Sequence, residues 1–312
     1  MHDGVPRAYR IHLPPKLVVG APLVIQLHGG GGNGRGIDRL TRFHSLADRG
    51  HFAVVSPSGL GHRWNVGRAA AGRGEDAHDG EVADAASSPT SGADDVGFLT
   101  TLIDCVAAWL PIDRQRVSVV GISNGAMMSA RLAAERPDSV AAIGQVAGTA
   151  PIEARQWWHP TRPVPVIQIH GTADPILPYA GGDVQLRRSL RRGAGQVLGV
   201  DEWANLLVAT NRTAAGAGGP SPAPGAGGPS PAPGADGTSP QPEVTTPAPG
   251  VTVRAWRGPT PEADVQFWRV DGGGHTWPGG IQYLPERLVG PTSDAFDATA
   301  VMWRFLAAHI RE

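Results

Sequence analysis

The 312-residue chain holds a single cysteine, Cys105, so an intramolecular disulfide and a cysteine-based metal site are both excluded. No run approaches the roughly 18 apolar residues of a membrane span, and Met1 to Arg7 has no apolar stretch of the kind a secretory leader carries. Charge of one sign is missing too. With 27 Lys+Arg against 28 Asp+Glu the formal net charge is −1, which provides no field to draw phosphate, and the short cluster Arg187, Arg188, Arg191, Arg192 reads as a solvated face. A nucleic-acid partner is therefore not expected. Aromatics make up only 6%, yet 41% of the residues are hydrophobic, enough for a large core. Cys105 itself falls in the apolar run Phe98 to Leu110 and is read as a small buried hydrophobe.

What the chain has in excess is glycine (43) and proline (29), and they are unevenly spread. Ten prolines and nine glycines lie between Arg212 and Gly250, where GAGGPSPAP at 216–224 recurs at 225–233 and decays at 234–242. Such a repeat has almost nothing to bury and cannot offset its ordering entropy, so it is expected to be a disordered insert. An expanded surface loop explains it most simply, since loop insertions cost little closure entropy; a spacer or a partner-binding arm is the functional alternative. The expected organisation is one domain over 1–312, interrupted by this insert at 212–250.

Outside the insert, short β-rich runs alternate with helical periodicity, the pattern of a mostly parallel sheet with helices on both faces. Expected strands are Ala8–Leu13, Leu23–Leu27, Phe52–Ser56, Val117–Val120, Ala141–Val146, Val166–His170, Val251–Trp256 and Val265–Val270. Expected helices are Ile37–Arg49, Asp94–Trp109, Asn124–Glu135, Asp201–Ala209 and Ser293–His309. The polar stretch Gly67–Ala93 has no period and reads as a long loop.

In open α/β sheets the ligand crevice lies beyond the carboxyl ends of the strands, and four strand ends carry chemistry. Gly121-Ile122-Ser123-Asn124-Gly125 is a G-x-S-x-G between a strand and a helix, which would hold Ser123 at the apex of a sharp turn. The string alone is weak, and a glycine-rich turn with a helix-start serine is the bland alternative. His28 to Gly34 (HGGGGNG) follows an apolar strand, and its bare backbone can turn N–H groups toward a developing oxyanion. Gly29, Gly31 and Gly34 also fit G-x-G-x-x-G, but that reading needs an acid at the end of the next strand, where Ser56-Pro57-Ser58 stands instead. Asp174 lies four residues past His170, placed either to orient an imidazole or to cap a turn before Pro175. His275 sits in the glycine frame Gly272-Gly273-Gly274 after the last expected strand, as a general base would. Ser123, Asp174 and His275 follow the Ser, acid, His order of the α/β-hydrolase fold, and this shared order selects His275 from the eleven histidines.

The chain resembles the polyhydroxybutyrate depolymerase and feruloyl esterase group of α/β-hydrolases, including related mycobacterial lipoprotein esterases. The matching pieces are Arg7-Ala8-Tyr9-Arg10 with Leu13-Pro14, Pro22 to Asn33 (PLVIQLHGGGGN), Ser58-Gly59-Leu60 with Trp64-Asn65, Asp94 to Phe98, Arg116 to Met128 (RVSVVGISNGAMM), His170 to Tyr179 (HGTADPILPY) and Gly274 to Gly279 (GHTWPG). The resemblance implies Ser123 as nucleophile, His275 as base, Asp174 as orienting acid, and backbone N–H groups near Gly30 and at Asn124 as the oxyanion hole. It implies carboxylic esters as substrates, such as hydroxyalkanoate oligomers or feruloyl and acetyl esters of polysaccharide, and needs neither metal nor organic cofactor. Trp277 is expected to wall the substrate pocket, and the pair Trp157-Trp158 is a second candidate, with core packing as the alternative for each. Many relatives carry cysteines near the oxyanion loop and the Trp-Asn element, where this chain has Gly30 and Val66; the resemblance favours an extracellular protein, and the missing bridges weaken that inference. Only 37 residues follow His275, too few for an appended polymer-binding module. A peptidase or acyltransferase with the same triad, and a non-catalytic binding protein acting through its Pro-rich arm, are the competing functions.

Overall fold

A computed structural model describes residues 1–67, 92–185, 195–216 and 241–311. Residues 217–240, nearly all of the nine-residue repeat at 216–242, lie outside the described residues, as do the arginine cluster and nearly all of the expected loop at 67–93. In chain order the elements are β1 (Tyr9–His12), β2 (Ala21–Leu27), α1 (Gly34–Thr41), α2 (Phe43–Gly50), β3 (Ala53–Pro57), α3 (Asp95–Trp109), β4 (Ile112–Ile122), α4 (Asn124–Glu135), β5 (Ala142–Val146), α5 (Ala154–Trp157), β6 (Val166–Gly171), β7 (Gly182–Asp183), β8 (Gln196–Val197), α6 (Val200–Gly216), β9 (Glu243–Ala248), β10 (Val251–Trp256), β11 (Val265–Val270), α7 (Glu286–Val289) and α8 (Ala298–Ala307).

Nine strands form one sheet in the order β1-β3-β2-β4-β5-β6-β11-β10-β9. The six central strands, β3 to β11 in that order, run parallel, while β1 and the β10–β9 ribbon are antiparallel additions at the edges. The central strands are buried on both faces, which explains why β2 and β3 read as near-continuous apolar runs. Alternate residues then serve different layers. Leu23, Ile25 and Leu27 join Leu99, Leu102, Met127 and Trp203 from α3, α4 and α6 on one face; Val24, Val54 and Ile169 join Ile37, Phe43, Met302 and Phe305 from α1, α2 and α8 on the other.

Four expectations change. The helix expected at Ile37–Arg49 is two, because Arg42 adopts a left-handed backbone (φ 56°) that ends α1 and turns the chain into α2. Inside the bounds given to the insert, α6 continues to Gly216 and β9 runs from Glu243 to Ala248. Strand β9 was hidden by Pro247, which an exposed edge strand tolerates. Cys105 is exposed: the buried stripe of α3 runs through Leu99, Leu102, Ile103 and Val106, and position 105 falls off it. No described helix is long and apolar enough to cross a membrane.

Candidate active site

Sheet order decides which strand ends meet. β2 lies beside β4, so the loop after Leu27 borders Ser123; β6 lies beside β11, so the loops carrying Asp174 and His275 are neighbours. Ser123 joins β4 to α4 with φ 57° and ψ −121°, a strained conformation for a side-chain-bearing residue. Glycine on either side makes that turn possible. A Cβ on Gly121 would lie 2.3 Å from the Gly125 carbonyl carbon, and one on Gly125 would lie 2.2 Å from the Leu27 oxygen. The Ser123 N–H is committed to Val146 O at 3.0 Å, and its hydroxyl has no hydrogen bond among the described residues.

The glycine loop after β2 is clamped from behind. Buried His28 donates from Nδ1 to Gly29 O (2.7 Å) and accepts the Gly59 N–H on Nε2 (3.0 Å), which fixes the neutral tautomer. Burial lowers its pKa to about 4, a trend that nearby His62 reinforces and the hydrogen bond to Gly29 opposes. Trp64 Nε1–H donates to His28 O at 2.9 Å. Gly31 N–H donates to His62 O and Gly32 N–H to Gly29 O, so those two donors are used; Gly30 and Asn124 N–H have no acceptor among the described residues. Asn33, at the end of the loop, caps α1 by accepting the Gly36 N–H.

Asp174 makes both contacts that its position suggested, one on each oxygen. Oδ1 accepts the Ile176 and Leu177 N–H groups, each at 2.8 Å, and Oδ2 accepts His275 Nδ1–H at 2.7 Å. Burial alone would push this carboxyl up, but the facing His275 and its hydrogen bond, with His170 and the Leu177 N–H, hold it below the ordinary carboxylate range. The second histidine, His170, is fully buried with Nε2 3.4 Å from Asp174 Oδ2, and burial keeps its pKa low against the pull of that carboxylate. His275 is held by its own N–H to Val289 O (2.5 Å), by Gly274 N–H to Pro291 O (2.9 Å), and by Tyr283 OH donating to its carbonyl (2.9 Å). The loop packs tightly enough that a Cβ on Gly274 would lie 2.3 Å from Val289 O.

Ser123, Asn124, Gly30 and His275 all line one cavity of about 600 Å³, whose other walls include Ile37, Leu40, Met127, Ile176, Leu177, Val184, Ile281 and Leu284. That volume suits a small or oligomeric organic ligand. Trp277 is not among its walls. It is 1% exposed, its Nε1–H donates to Thr299 Oγ1 at 2.9 Å, and its ring meets Phe43 edge-on, so it packs in the core between sheet and helices. Trp158 is likewise wholly buried against Trp203, and Trp157 packs on the same core; the aromatic pair contributes nothing to the cavity. The wall residues that the sequence did not single out, Arg63, Tyr283 and the Ile176-Leu177 pair, lie in aperiodic loops beside recognised motifs. Among the described residues, one cluster of three side chains has metal-binding geometry, His2, Asp3 and Asp94; it contributes no wall of the cavity, and Asp94 already caps α3.

A mostly parallel sheet with helices on both faces, a serine elbow after one strand, and an acid and a histidine after two later ones define an α/β-hydrolase. Residues 7–176 match the family model described as Esterase PHB depolymerase, more than half of the chain, and the chain belongs to that family. The matched segment includes Ser123 and Asp174 and ends before His275. Among curated proteins, NocK of Nocardia uniformis subsp. tsuyamanensis, named as a candidate esterase, is 34% identical over 184 residues, covering 57% of this chain and 48% of NocK. The bifunctional acetylxylan esterase/xylanase XynS20E of Neocallimastix patriciarum is 27% identical over 177 residues, 57% of this chain and 23% of that protein. The chain thus spans about half the length of the first relative and less of the second. The solved acetyl xylan esterase from Aspergillus awamori shares the fold, with a TM-score of 0.53 at 16% identity over 88% of this chain and 90% of that one.

Proposed function

We propose that this chain is a serine hydrolase of carboxylic esters working through an acyl-enzyme, with 1–312 forming one catalytic domain that carries the Gly/Pro-rich insert. The observation that carries the reading is the buried 2.7 Å hydrogen bond between His275 Nδ1 and Asp174 Oδ2, on the cavity that Ser123 also lines. It leaves Nε2 as the nitrogen available to the nucleophile. Ser123 Oγ attacks the ester carbonyl as His275 Nε2 takes its proton, and Asp174 orients the ring and stabilises the imidazolium that forms. The N–H groups of Gly30 and Asn124, otherwise without acceptors among the described residues, receive the oxyanion. Collapse of the tetrahedral intermediate expels the alcohol, protonated by His275; a water activated by the same histidine then releases the acid and regenerates Ser123.

The substrates proposed are hydroxyalkanoate oligomers or acetyl and feruloyl esters of polysaccharide, in line with the family and with the acetylxylan esterase relatives. The apolar lining of the cavity supports an organic acyl group of modest size. The test is hydrolysis of acetyl, butyryl, 3-hydroxybutyryl-oligomer and feruloyl esters by wild type and Ser123→Ala. Turnover of at least one ester that disappears in the variant is expected; no Ser123-dependent turnover of any would overturn the reading.

A further inference from the structure

The cavity has one permanently charged wall residue, Arg63, and no acidic one among the described residues. The Arg63 guanidinium has no hydrogen bond and no ion pair among the described residues; Arg7, Arg131 and Arg162 pair with Asp95, Glu135 and Glu262, and the other half-buried arginines without a partner, Arg116 and Arg311, are not walls of the cavity. Its backbone is held firmly. On one side His62 O accepts the Gly31 N–H at 2.8 Å and His62 Nδ1 pairs with Gly32 O at 2.9 Å; on the other, Trp64 N–H donates to Asn124 Oδ1 at 2.7 Å. Gly59 comes so close that a Cβ there would lie 2.1 Å from Arg63 O. Arg63 therefore rises from backbone fixed to both the glycine loop and the residue after the nucleophile, and lines the cavity with them.

An uncommitted guanidinium at such a place matches a planar anion, and the ester's own carbonyl does not use it, since backbone N–H groups face that atom. We propose that Arg63 is a carboxylate subsite: the preferred substrate is a short ester that carries a free carboxylate on its acyl or its alcohol portion, as a half-ester of a dicarboxylic acid or a hydroxy-acid oligomer does. The inference rests on the esterase reading and narrows its substrate class. An acetyl group on a neutral polysaccharide offers nothing to Arg63, whereas every linear hydroxy-acid oligomer ends in a carboxylate.

Two matched probe pairs cover both sides of the ester: mono-4-nitrophenyl glutarate against its methyl ester, and the linear 3-hydroxybutyrate dimer against its methyl ester. Wild type should favour the carboxylate-bearing member of at least one pair by roughly tenfold in kcat/KM, as a charge-assisted hydrogen bond allows, mainly through KM. Arg63→Gln should bring that ratio close to one, and added salt should shrink it in wild type but not in the variant. No preference in either pair, or a preference that survives in Arg63→Gln, overturns the subsite. Should wild type hydrolyse none of the four, the esterase reading is decided by the acetyl, butyryl and feruloyl esters, and the subsite by saturation-transfer NMR of monomethyl glutarate: contact in wild type that Arg63→Gln lacks supports it, equal signals refute it.

Discussion

Asn124 and Trp64 exchange two hydrogen bonds: Trp64 N–H donates to Asn124 Oδ1 at 2.7 Å, and Asn124 Nδ2–H donates back to Trp64 O at 3.2 Å. The Trp64 indole in turn donates to His28 O, so one residue ties the start of α4 to the glycine loop that faces it. The two proposed oxyanion donors, on Gly30 and Asn124, are thereby held on one frame. Asn124→Ala keeps the backbone N–H but frees it from that frame. It should lower kcat by roughly 10- to 100-fold, because small displacements of preorganised groups cost about that much, with KM changed far less. Steady-state kinetics on any ester the enzyme hydrolyses checks this, and an equal loss confined to KM would contradict it.

Replacing Asp174 by Asn removes the acceptor that fixes His275 Nδ1–H and leaves the ring free to take the wrong tautomer. A fall in kcat of about 10,000-fold is expected, as for triads generally. The same variant tests a stability claim. The Asp174 carboxyl is held below its usual range, so its contribution is present above the unfolded-state value of about 4 and lost as pH falls through the lower folded value. Urea unfolding at neutral pH should show Asp174→Asn less stable than wild type, with the difference narrowing at the acid end.

His28 shifts the same way, but loses its contribution at higher pH because its ordinary pKa is higher. Its folded pKa of about 4 lies below the ordinary 6.5, so the fold favours the neutral ring and the unfolded chain takes up protons first. Stability is fully present above pH 6.5 and declines as pH falls from there toward 4, by about 3 kcal/mol if the whole shift is expressed. His28→Gln can still accept the Gly59 N–H but has no proton to gain. Its unfolding free energy should vary less over that window than wild type's; parallel profiles would exclude His28 as the source.

Two glycines of the site separate packing from chemistry. Gly125→Ala would drive a methyl to 2.2 Å from Leu27 O, and a loss of about 3 kcal/mol or failure to fold is expected. A Cβ on Gly30 meets nothing within 4 Å, so Gly30→Ala should unfold within about 0.5 kcal/mol of wild type while altering activity at the cavity wall. Thermal or denaturant melts of the pair read the contrast directly.

Trp277→Phe should destabilise the protein by losing the indole hydrogen bond to Thr299, yet leave relative rates on acetyl, butyryl and feruloyl esters unchanged, since the ring faces the core. A change in ester preference would return Trp277 to the pocket.

The strand ends proposed as catalytic were legible because residue type is constrained there: Gly121, Ser123 and Gly125 satisfy a turn few sequences can make, and Asp174 and His275 follow apolar strands that name their position in the sheet. Direction was harder. Trp277 is two residues from His275, but the chain turns after Thr276 and sends the indole between Phe43 and α8, which composition cannot reveal. Cys105 shows the same limit on a helix: an apolar run suggested burial, while the 3.6-residue period places that side chain outward. Arg63 and Tyr283 went unmarked because a loop residue acquires its neighbours only when distant segments fold together, as Tyr283 does on the His275 carbonyl.

The central claim is that Ser123 is the nucleophile of an ester-cleaving triad. The most direct measurement is intact-mass and peptide mass spectrometry after reaction with a 4-nitrophenyl alkylphosphonate, which traps an activated serine hydroxyl as a stable adduct. One phosphonyl group per chain on the peptide bearing Ser123, absent from Ser123→Ala and much slowed in Asp174→Asn, is predicted. Modification at another residue, or none while the protein turns over esters, would contradict it.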